Sequence, residues 1–427
     1  MGKEIPETSH RFTPEPVTDH RSPAQRDRDR ILYSGAFARL AEITQVVSPE
    51  KGYVFHNRLT HSLKVAQIAR RIAEGLNRDQ PNEVKKLGGL DPDATEAAGL
   101  GHDLGHPPFG HVAEEELNRL VRKHRIRDGY EGNAQAFRIV TRLADSDAHD
   151  KYDRAIAGLN LTRMTLDGIL KYPWASGDHN NPKKWGYYRT ESKVFEWVRR
   201  GRLIRQRSAI AEIMDWADDI TFAIHDLLDF YRAGKIPIDK CKGNESRERE
   251  RLIKGMFKRK PEWRAERSKY VEALQSILDE FPFAAHERYK DAAEDRARLY
   301  AFSTAMIRNF VGSCRLRSRA SATRVHIEAD AKRIVEVLKQ FIWEYIIENP
   351  ELAVPQNGQR AAVRGVFTQL LEASNDKKYY IFPSAFQEVI AKASNKRDRV
   401  RIVADCIASM TEREIMYFHR CLQGLGI

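Results

Sequence analysis

The sequence predicts an all-α protein, and two observations support this fold class. Apolar residues recur three and four positions apart along most of the chain, which is the spacing of one buried helix face. No run of alternating apolar and polar residues indicates a confident β-strand. With 427 residues, of which 41% are hydrophobic, the chain is long enough to bury a sizeable core.

The composition narrows the class of protein. There is no apolar stretch long enough to cross a bilayer, and the first thirty residues are too polar for a signal peptide, so we expect a cytoplasmic protein without a membrane partner. The four cysteines are far apart, which fits a reducing compartment and excludes a zinc ribbon. A formal charge of +12 suits nucleotides or nucleic acid as partners, although a solvated basic surface would give the same value.

The chain divides into three predicted parts. Residues 1–22 hold three prolines and many charged side chains, which predicts a flexible N-terminal arm. Residues 23–235 form a predicted helical core, and residues 236–427 form a helical C-terminal part packed on that core. A segment near 239–267 is strongly charged, which is typical of an exposed helix or a linker.

The core begins with two helical patterns. The first covers residues 23–47, where the apolar positions recur at helical spacing. The second covers residues 58–76, and Asn57 is a good N-cap for it. Because Arg58 and His61 are three positions apart, this helix presents them on one face.

A histidine-rich segment follows the next helical pattern. That pattern ends at the adjacent pair His102 and Asp103, and a double proline separates it from a new helix near His111 with Glu114 one turn along. Residues 101–111 contain three of the chain's 14 histidines, which are His102, His106 and His111. This density indicates a functional site, although a bare His-Asp pair is equally well explained by a turn cap and a buried structural histidine.

The last strong pattern of the core covers residues 208–233 and ends before Gly234, a residue favoured after a helix. The preceding loop, residues 173–190, is rich in Trp, Tyr, Lys and Asn, which indicates a mobile rim over a site. One side of the helix is apolar and the other acidic. Carboxylates this close repel one another unless they are solvated or bind cations. Both readings fit the acidic residues, which are Asp215, Asp218, Asp219, Asp226 and Asp229.

Taken together, histidines and carboxylates spread over three helices resemble the metal site of the HD phosphohydrolase superfamily. More closely, the chain resembles the bacterial deoxyguanosine-triphosphate triphosphohydrolases and their deoxynucleotide triphosphohydrolase relatives. The resemblance touches most of the chain and is densest from 26 to 230. The motifs that carry it are residues 26–31 (Arg-Asp-Arg-Asp-Arg-Ile), 36–40, 44–46 (Thr-Gln-Val), 58–63 (Arg-Leu-Thr-His-Ser-Leu), 97–111, 130–135, 158–163, 171–173 (Lys-Tyr-Pro), 216–220 (Trp-Ala-Asp-Asp-Ile) and 408–413 (Ala-Ser-Met-Thr-Glu-Arg).

The resemblance implies an all-α HD-domain fold with additional C-terminal helices, and a metal held by His61, His102, Asp103 and Asp218. Helical spacing alone does not choose between Asp218 and its neighbour Asp219. Two imidazoles and two carboxylates suit a divalent transition ion with open water positions. Mn²⁺ or Mg²⁺ is the expected cofactor, and Fe, Co, Ni or Zn is compatible with the purified protein.

The resemblance also assigns the catalytic residues. His111 and Glu114 correspond to the His-Glu pair of the family, and Asp103 is shared with the metal set. A carboxylate bonded to one imidazole nitrogen fixes the tautomer and raises the basicity of the other nitrogen. His106 corresponds either to a phosphate contact or to a loop scaffold.

The substrate contacts follow from the same motifs. At position 222 the family usually carries tyrosine, whereas this chain has Phe222, so one phenol donor is absent. Val46 is expected to face the sugar edge where a 2′ hydroxyl would sit, which favours deoxynucleotides. The other residues assigned to the substrate are Arg58, Lys171 and Tyr172 for the triphosphate, and Gln45 and Asp226 for the 3′ hydroxyl.

The reaction implied is metal-dependent hydrolysis of dGTP or several dNTPs to deoxynucleoside and tripolyphosphate, by attack of water on the α-phosphorus. A homo-oligomer, a tetramer or hexamer, is expected, and an allosteric dNTP and single-stranded nucleic acid are further candidate partners. Two alternatives stay open. Another HD-domain nucleotide phosphohydrolase would share the metal set but not the Lys-Tyr-Pro segment. A basic nucleic-acid-binding regulator with a vestigial HD site would explain the charge but not an intact metal set.

Overall fold

In the computed structural model, residues 7–16, 19–46, 57–144, 158–243, 246–318 and 321–425 are described. Helices dominate these ranges, and the strands within them form one antiparallel pair, β1 (Cys314–Leu316) and β2 (Val325–Ile327), with Arg315 opposite His326. The predicted all-α class is confirmed.

The first part of the chain, which contains the predicted site residues, is mainly helical. Its helices are α1 (Pro23–Tyr33), α2 (Gly35–Ala38), α3 (Arg58–Asp79), α4 (Pro81–Leu87), α5 (Pro92–Gly101), α6 (His111–Lys123), α7 (Gly132–Arg138), α8 (Arg163–Ile169), α9 (Ser192–Arg199), α10 (Ala209–Thr221) and α11 (Leu227–Arg232). Asn57 caps α3 as predicted, since its side chain accepts from the Thr60 backbone N–H. The pattern over 23–47 is broken at Ser34, which is extended and caps α2. Position 47 lies outside the described residues.

The second part of the chain is also helical. Its helices are α12 (Arg247–Arg259), α13 (Arg267–Glu280), α14 (Ala293–Gly312), α15 (Ala329–Ile342), α16 (Ala353–Asn375), α17 (Ser384–Ala391), α18 (Lys396–Ser409) and α19 (Glu412–Leu422). The charged segment near 239–267 contains α12, which buries Leu252, Met256 and Phe257, so this segment is a packed helix rather than a linker. Among the helices described, none is both long and apolar enough for a membrane span.

Two large hydrophobic cores and one small cluster lie within the described part of the chain. The main core is built around α3, α5 and α10, and its buried side chains run from Ala24 to Ile346, so the boundary predicted at residue 235 does not divide it. The C-terminal core joins α6 to α16, α17 and α18. Helix α6 contributes to it the buried side chains Ala113, Leu117, Leu120 and Val121. The chain therefore passes from one core to the other between α5 and α6, within the histidine-rich segment.

The prediction of a flexible arm over residues 1–22 is wrong for residues 7–16, which pack on the main core. Arg11 is only 8% exposed and donates hydrogen bonds to Asp27 Oδ1 and to the Asn160 carbonyl, both at 2.5 Å. A buried guanidinium is tolerated where its charge and its N–H groups find partners. Those partners are distant in sequence, so local composition did not reveal them. Residues 1–6 and 17–18 lie outside the described ranges.

A buried ion-pair network joins the two cores. Arg138, at the end of α7, donates to Asp405 Oδ2 of α18 through Nε at 3.0 Å and Nη2 at 2.8 Å, and its Nη1 donates to Glu191. Asp405 is 1% exposed and also accepts from Gln135. Burial alone would lower the pKa of Arg138, but the Asp405 and Glu191 carboxylates raise it above its ordinary value. These ion pairs therefore compensate the cost of burying the charged guanidinium of Arg138.

We expect Asp405→Ala to lower the free energy of unfolding by about 3–5 kcal/mol, because it leaves the buried guanidinium of Arg138 with fewer partners. Urea unfolding followed by circular dichroism measures this change. The matched control is Asp376→Ala, which removes an exposed carboxylate paired with Lys378 at 3.0 Å and should cost less than about 1 kcal/mol. Equal losses in the two variants would contradict the role given to the network.

Candidate metal centre and active site

The four predicted metal ligands converge from three elements of the main core. His61 lies in the first turn of α3, His102 and Asp103 follow α5 directly, and Asp218 lies on α10. Asp218 Oδ1 is 3.1 Å from His61 Nε2 and 3.8 Å from His102 Nε2. One ligand atom each from His61, His102 and Asp103 lie within 4.8 Å of one another. At this spacing a single ion can contact all of them.

A glycine on α5 permits this convergence. Helix α5 packs against both α3 and α10. A Cβ atom at Gly99 would lie 2.7 Å from the Cα of Ala66 on α3, which is closer than real Cβ atoms approach backbone. Without a side chain at this position the two helices come together, and the end of α5 brings His102 to His61.

The hydrogen bonding of His102 leaves one ring nitrogen available to a metal. Its Nδ1 lies 2.7 Å from the Gly99 carbonyl, and because a carbonyl only accepts, Nδ1 carries the proton. The buried Nε2 then holds a lone pair, and it makes no hydrogen bond within the described part of the chain. A carbonyl that fixes the tautomer in this way is typical of metal-ligating histidines. The residues present therefore fit a divalent ion.

Asp226 lies behind His61. Its Oδ2 is 3.6 Å from His61 Nδ1, and the residue is 3% exposed. Burial alone would lower the pKa of His61, but the carboxylates of Asp226 and Asp218 raise it to about 10. The resemblance assigned Asp226 to the sugar, whereas its observed contact is the one made by a carboxylate that orients a metal-ligating imidazole.

The two adjacent aspartates of α10 have different surroundings. Asp218 Oδ2 accepts from Lys171 Nζ at 2.9 Å, and Lys171 also pairs with Asp215 at 2.7 Å. Burial alone would raise the pKa of Asp218, but Lys171 and the neighbouring imidazoles hold it well below its ordinary value. Asp219 pairs instead with Lys339 of α15. Of the two aspartates, Asp218 is the one that reaches the histidines.

The helix predicted over 208–233 is interrupted by a π-helical segment, Phe222–Asp226, between α10 and α11. A π turn is wider than an α turn and shifts the register of the residues after it, and such segments are frequent at functional sites. Phe222 opens the segment, is half-buried and packs against the main core. Gly234 follows α11 with a φ of 68°, in agreement with the predicted helix end.

The four predicted metal ligands His61, His102, Asp103 and Asp218 form a metal group. A second group, formed by His106, His111 and Glu114, lies next to it. Glu114 Oε2 is 2.7 Å from His111 Nδ1 and 3.9 Å from His106 Nδ1. His106 Nε2 lies 3.2 Å from Asp103 Oδ1, so its ring bridges the two groups. Burial, reinforced by the charge of Arg58, lowers the pKa of His106 to about 4. The imidazole is therefore neutral near pH 7.

Glu114 orients His111 from a buried position. Glu114 is 7% exposed, whereas the His111 side chain is 68% exposed. Glu114 Oε1 accepts from the Gly132 backbone N–H at 3.1 Å and lies 3.4 Å from Lys184 Nζ. Burial alone would raise the pKa of Glu114, but its hydrogen bond with His111 and the charge of Lys184 hold it well below its ordinary value. The ionised carboxylate makes Nδ1 of His111 the donor and leaves Nε2 as the basic nitrogen.

Arg58 connects the metal group to the predicted substrate contacts. It is 3% exposed, and it donates to Asp103 Oδ2 at 2.7 Å and to the Gln45 carbonyl at 3.4 Å. Val46 follows Gln45, is half-buried and packs against the main core. Tyr172 follows Lys171, with its ring 5.5 Å from that of Trp174. Of these predicted substrate residues, Arg58 contacts the metal group directly and Gln45 contacts Arg58, whereas Val46 and Tyr172 are the sequence neighbours of Gln45 and Lys171.

Two charged residues of the site were not identified from the sequence. Lys184 pairs with Glu131 at 3.0 Å and approaches Glu114, and it lies in the loop predicted as a mobile rim. That loop buries Trp185 and Tyr188 completely and is therefore anchored. Asp215 shares Lys171 with Asp218. Its spacing of three from Asp218 was the available signal, but a solvated acidic face shows the same spacing.

Comparison with known proteins places this site in a family. The HD domain matches residues 58–223, and the phosphohydrolase-associated domain matches residues 325–421. Relatives from several organisms carry the name deoxyguanosinetriphosphate triphosphohydrolase-like protein. The one from Corynebacterium efficiens is 36% identical over 96% of this chain and 93% of its own length. Those from Streptomyces coelicolor and Shewanella woodyi are 34% and 30% identical, over 98% and 95% of this chain and 97% and 92% of their own lengths. Since such identity extends over nearly the whole length, the chain belongs to the deoxyguanosinetriphosphate triphosphohydrolase-like family of HD-domain hydrolases.

Proposed function

We propose that this protein hydrolyses deoxynucleoside triphosphates, dGTP or several dNTPs, to the deoxynucleoside and tripolyphosphate. The observation that carries the proposal is the junction of two groups, a His/Asp group that fits a divalent ion and the oriented pair His111–Glu114. Two cations suited to phosphate, Arg58 and Lys171, contact the first group. The names of the relatives support the substrate class.

The metal would be held by His61, His102, Asp103 and Asp218. Mn²⁺ or Mg²⁺ is the ion we expect in the working enzyme. A divalent ion bound there would act as a Lewis acid on a phosphoryl oxygen and lower the pKa of a coordinated water. Asp226, behind His61, would hold that imidazole in position.

Arg58 and Lys171 would bind the triphosphate. The substrate brings about four negative charges, which positioned cations must offset during phosphoryl chemistry. Arg58 already pairs with Asp103, and Lys171 with Asp218. Phosphate binding and metal binding would therefore depend on the same charged atoms.

His111 would move the proton. Its ring is exposed while Glu114 holds Nδ1, so Nε2 can take a proton from the attacking water or give one to the leaving 5′ oxygen. Attack on the α-phosphorus with loss of the 5′ oxygen releases the three phosphates as one product. This product distinguishes the reaction from that of a pyrophosphohydrolase.

Partners beyond the substrate remain predictions: an effector dNTP, single-stranded nucleic acid and a homo-oligomeric assembly. A cavity of about 1550 Å³ lies between α7 and α18, and its lining includes Arg125, Arg127, Arg142 and Arg397 but no residue of the proposed metal set. Its volume and its arginines suit a phosphate-bearing ligand. We place an effector nucleotide there.

We expect the wild-type protein with Mn²⁺ or Mg²⁺ to release tripolyphosphate from dGTP, and to act more slowly on GTP because Val46 would press on the 2′ hydroxyl. Burying an unpaired hydroxyl costs roughly 1–3 kcal/mol, which is about a ten- to hundredfold difference in kcat/KM. Ion chromatography of the products of each nucleotide measures both results. Pyrophosphate as the product would indicate a different HD phosphohydrolase. DNA retention without any phosphate release would favour the nucleic-acid-binding alternative.

Asp218→Ala should leave the protein largely without metal, whereas Asp219→Ala should keep it. The two aspartates are adjacent on α10, but Asp218 faces the histidines and Asp219 faces Lys339. Loss of an outer partner alone already lowers metal affinity by about 10–100-fold, so loss of a direct ligand should have at least this effect. Elemental analysis after dialysis gives the metal content, and circular dichroism checks the fold. Equal metal content in the two variants would refute the assignment.

Phe222→Tyr should raise kcat/KM for dGTP by about tenfold, because it restores a phenol donor near the substrate. A hydrogen bond to a charged group contributes at least about 1.5 kcal/mol. Steady-state kinetics with dGTP measure the change. Phe195→Tyr is the control, since Phe195 is also half-buried on the main core but stacks on Tyr187 and has no predicted role in the site. An unchanged or lower kcat/KM in Phe222→Tyr would mean that the pocket is built around phenylalanine.

A further inference from the structure

The motif at residues 408–413 contacts the histidine-rich loop directly, although the proposed function assigns it no role. Glu412 is the first residue of α19. Its Oε1 accepts from the backbone N–H of Thr44 at 2.8 Å and of Phe109 at 3.2 Å, and its Oε2 accepts from Thr44 Oγ1 at 2.9 Å. One half-buried carboxylate therefore holds two segments that are far apart in the sequence.

Both segments lead to proposed site residues. Phe109 lies in the turn between His106 and His111, so its position affects both imidazoles. Thr44 precedes Gln45, whose carbonyl accepts from Arg58. Arg58 in turn donates to Asp103 of the metal group. Glu412 is thus one hydrogen bond away from each of the two segments that enclose the site.

The turn that Glu412 holds has a strained backbone. Phe109 has a φ of 67°, which is uncommon for a residue with a side chain. Gly110 follows with φ 56° and ψ −127°, a combination that suits glycine. Strained conformations of this kind persist when surrounding contacts fix them. The hydrogen bond from the Phe109 N–H to Glu412 is such a contact.

The hydrogen bonds of Glu412 lie where the main core meets the C-terminal core. The proposed metal ligands belong to elements of the main core, whereas His111 and Glu114 lie on α6, which is buried in the C-terminal core. A second contact crosses at the same place, because Arg39 donates to the Met410 carbonyl at 3.2 Å and to the His106 carbonyl at 2.8 Å. The distance between the two groups of the site therefore depends on contacts made by residues 410–412.

We propose that Glu412 is a positioning residue for the hydrolysis: by holding Phe109 and Thr44, its carboxylate fixes His111 at its working distance from the metal group. This inference rests on the proposed function. Glutamine at this position can replace the carboxylate, since its amide oxygen accepts from both N–H groups and its amide nitrogen donates to the Thr44 hydroxyl. Alanine makes none of these bonds.

The test compares Glu412→Ala and Glu412→Gln with the wild type by hydrogen–deuterium exchange and by kinetics. In Glu412→Ala we expect faster exchange of the Thr44 and Phe109 amides, and a fall in kcat of about ten- to a hundredfold, the size of effect that a displacement of about 1 Å causes. KM should change less than kcat, because Arg58 and Lys171 keep their bonds to Asp103 and Asp218. Glu412→Gln should restore both the exchange and most of kcat.

The control is Glu414→Ala on the same helix. Glu414 accepts from the Thr411 backbone N–H in the capping box of α19, and among the described residues it makes no hydrogen bond to the histidine-rich loop. This variant weakens the helix end, so unchanged kcat and unchanged exchange at Phe109 would show that α19 stability alone is not the cause. If Glu412→Ala does not fold, Glu412→Asp, whose carboxylate is one methylene shorter, takes its place.

Three outcomes would overturn the inference. Unaltered exchange in Glu412→Ala would mean that the anchor is not made in solution. Faster exchange with wild-type kcat would mean that the anchor does not position His111. A fall in kcat of equal size in Glu414→Ala would assign the effect to helix stability. Absence of nucleotide hydrolysis by the wild type is a separate result, because it rejects the proposed function while the exchange data still report on the anchor.

Discussion

The candidate site depends on neighbouring cations and imidazoles that compensate the cost of its buried carboxylates. Asp103 and Asp218 are drawn together by the packing of α3, α5 and α10, and an unpaired carboxylate inside a protein is costly. Burial alone would raise the pKa of Asp103, but the neighbouring imidazoles and Arg58 hold it well below its ordinary value. Lys171 does the same for Asp218, and His61 carries a raised pKa between two carboxylates. The carboxylates of Asp103 and Asp218 therefore stay ionised although they are buried, which is the form in which a carboxylate binds a divalent ion.

The second constraint is that the site spans two cores. The HD domain match ends at residue 223, and the phosphohydrolase-associated match begins at residue 325. The latter contains α16, α17 and α18, which enclose α6 and so carry the pair His111–Glu114. The C-terminal region is therefore a structural part of the site rather than an appendage. In agreement with this, the similarity to the relatives extends over nearly the whole chain and not over the HD domain alone.

Sequence reasoning succeeded where the signal was local. The cap at Asn57 and the helix end before Gly234 follow from propensities that act within a few residues. It could not choose between Asp218 and Asp219, because adjacent positions differ by about 100° around a helix and the partners that decide are elsewhere. The same limit hid the Arg11–Asp27 pair, whose partners are separated along the chain. Residue types and motifs indicated which residues could belong to the site, but which of their atoms are in contact depends on the tertiary packing.

The neutral ring of His106 lies between the metal group and the pair His111–Glu114. Its Nε2 faces the Asp103 carboxylate, which only accepts, so the single proton of the neutral imidazole lies there. Its Nδ1, 3.9 Å from Glu114, is then a lone pair and cannot donate to that carboxylate. Burial, reinforced by the charge of Arg58, disfavours a second proton on His106 and preserves this state. The imidazole that donates to Glu114 is therefore that of His111, through Nδ1 at 2.7 Å, while Arg58 compensates Asp103 on the other side of the His106 ring.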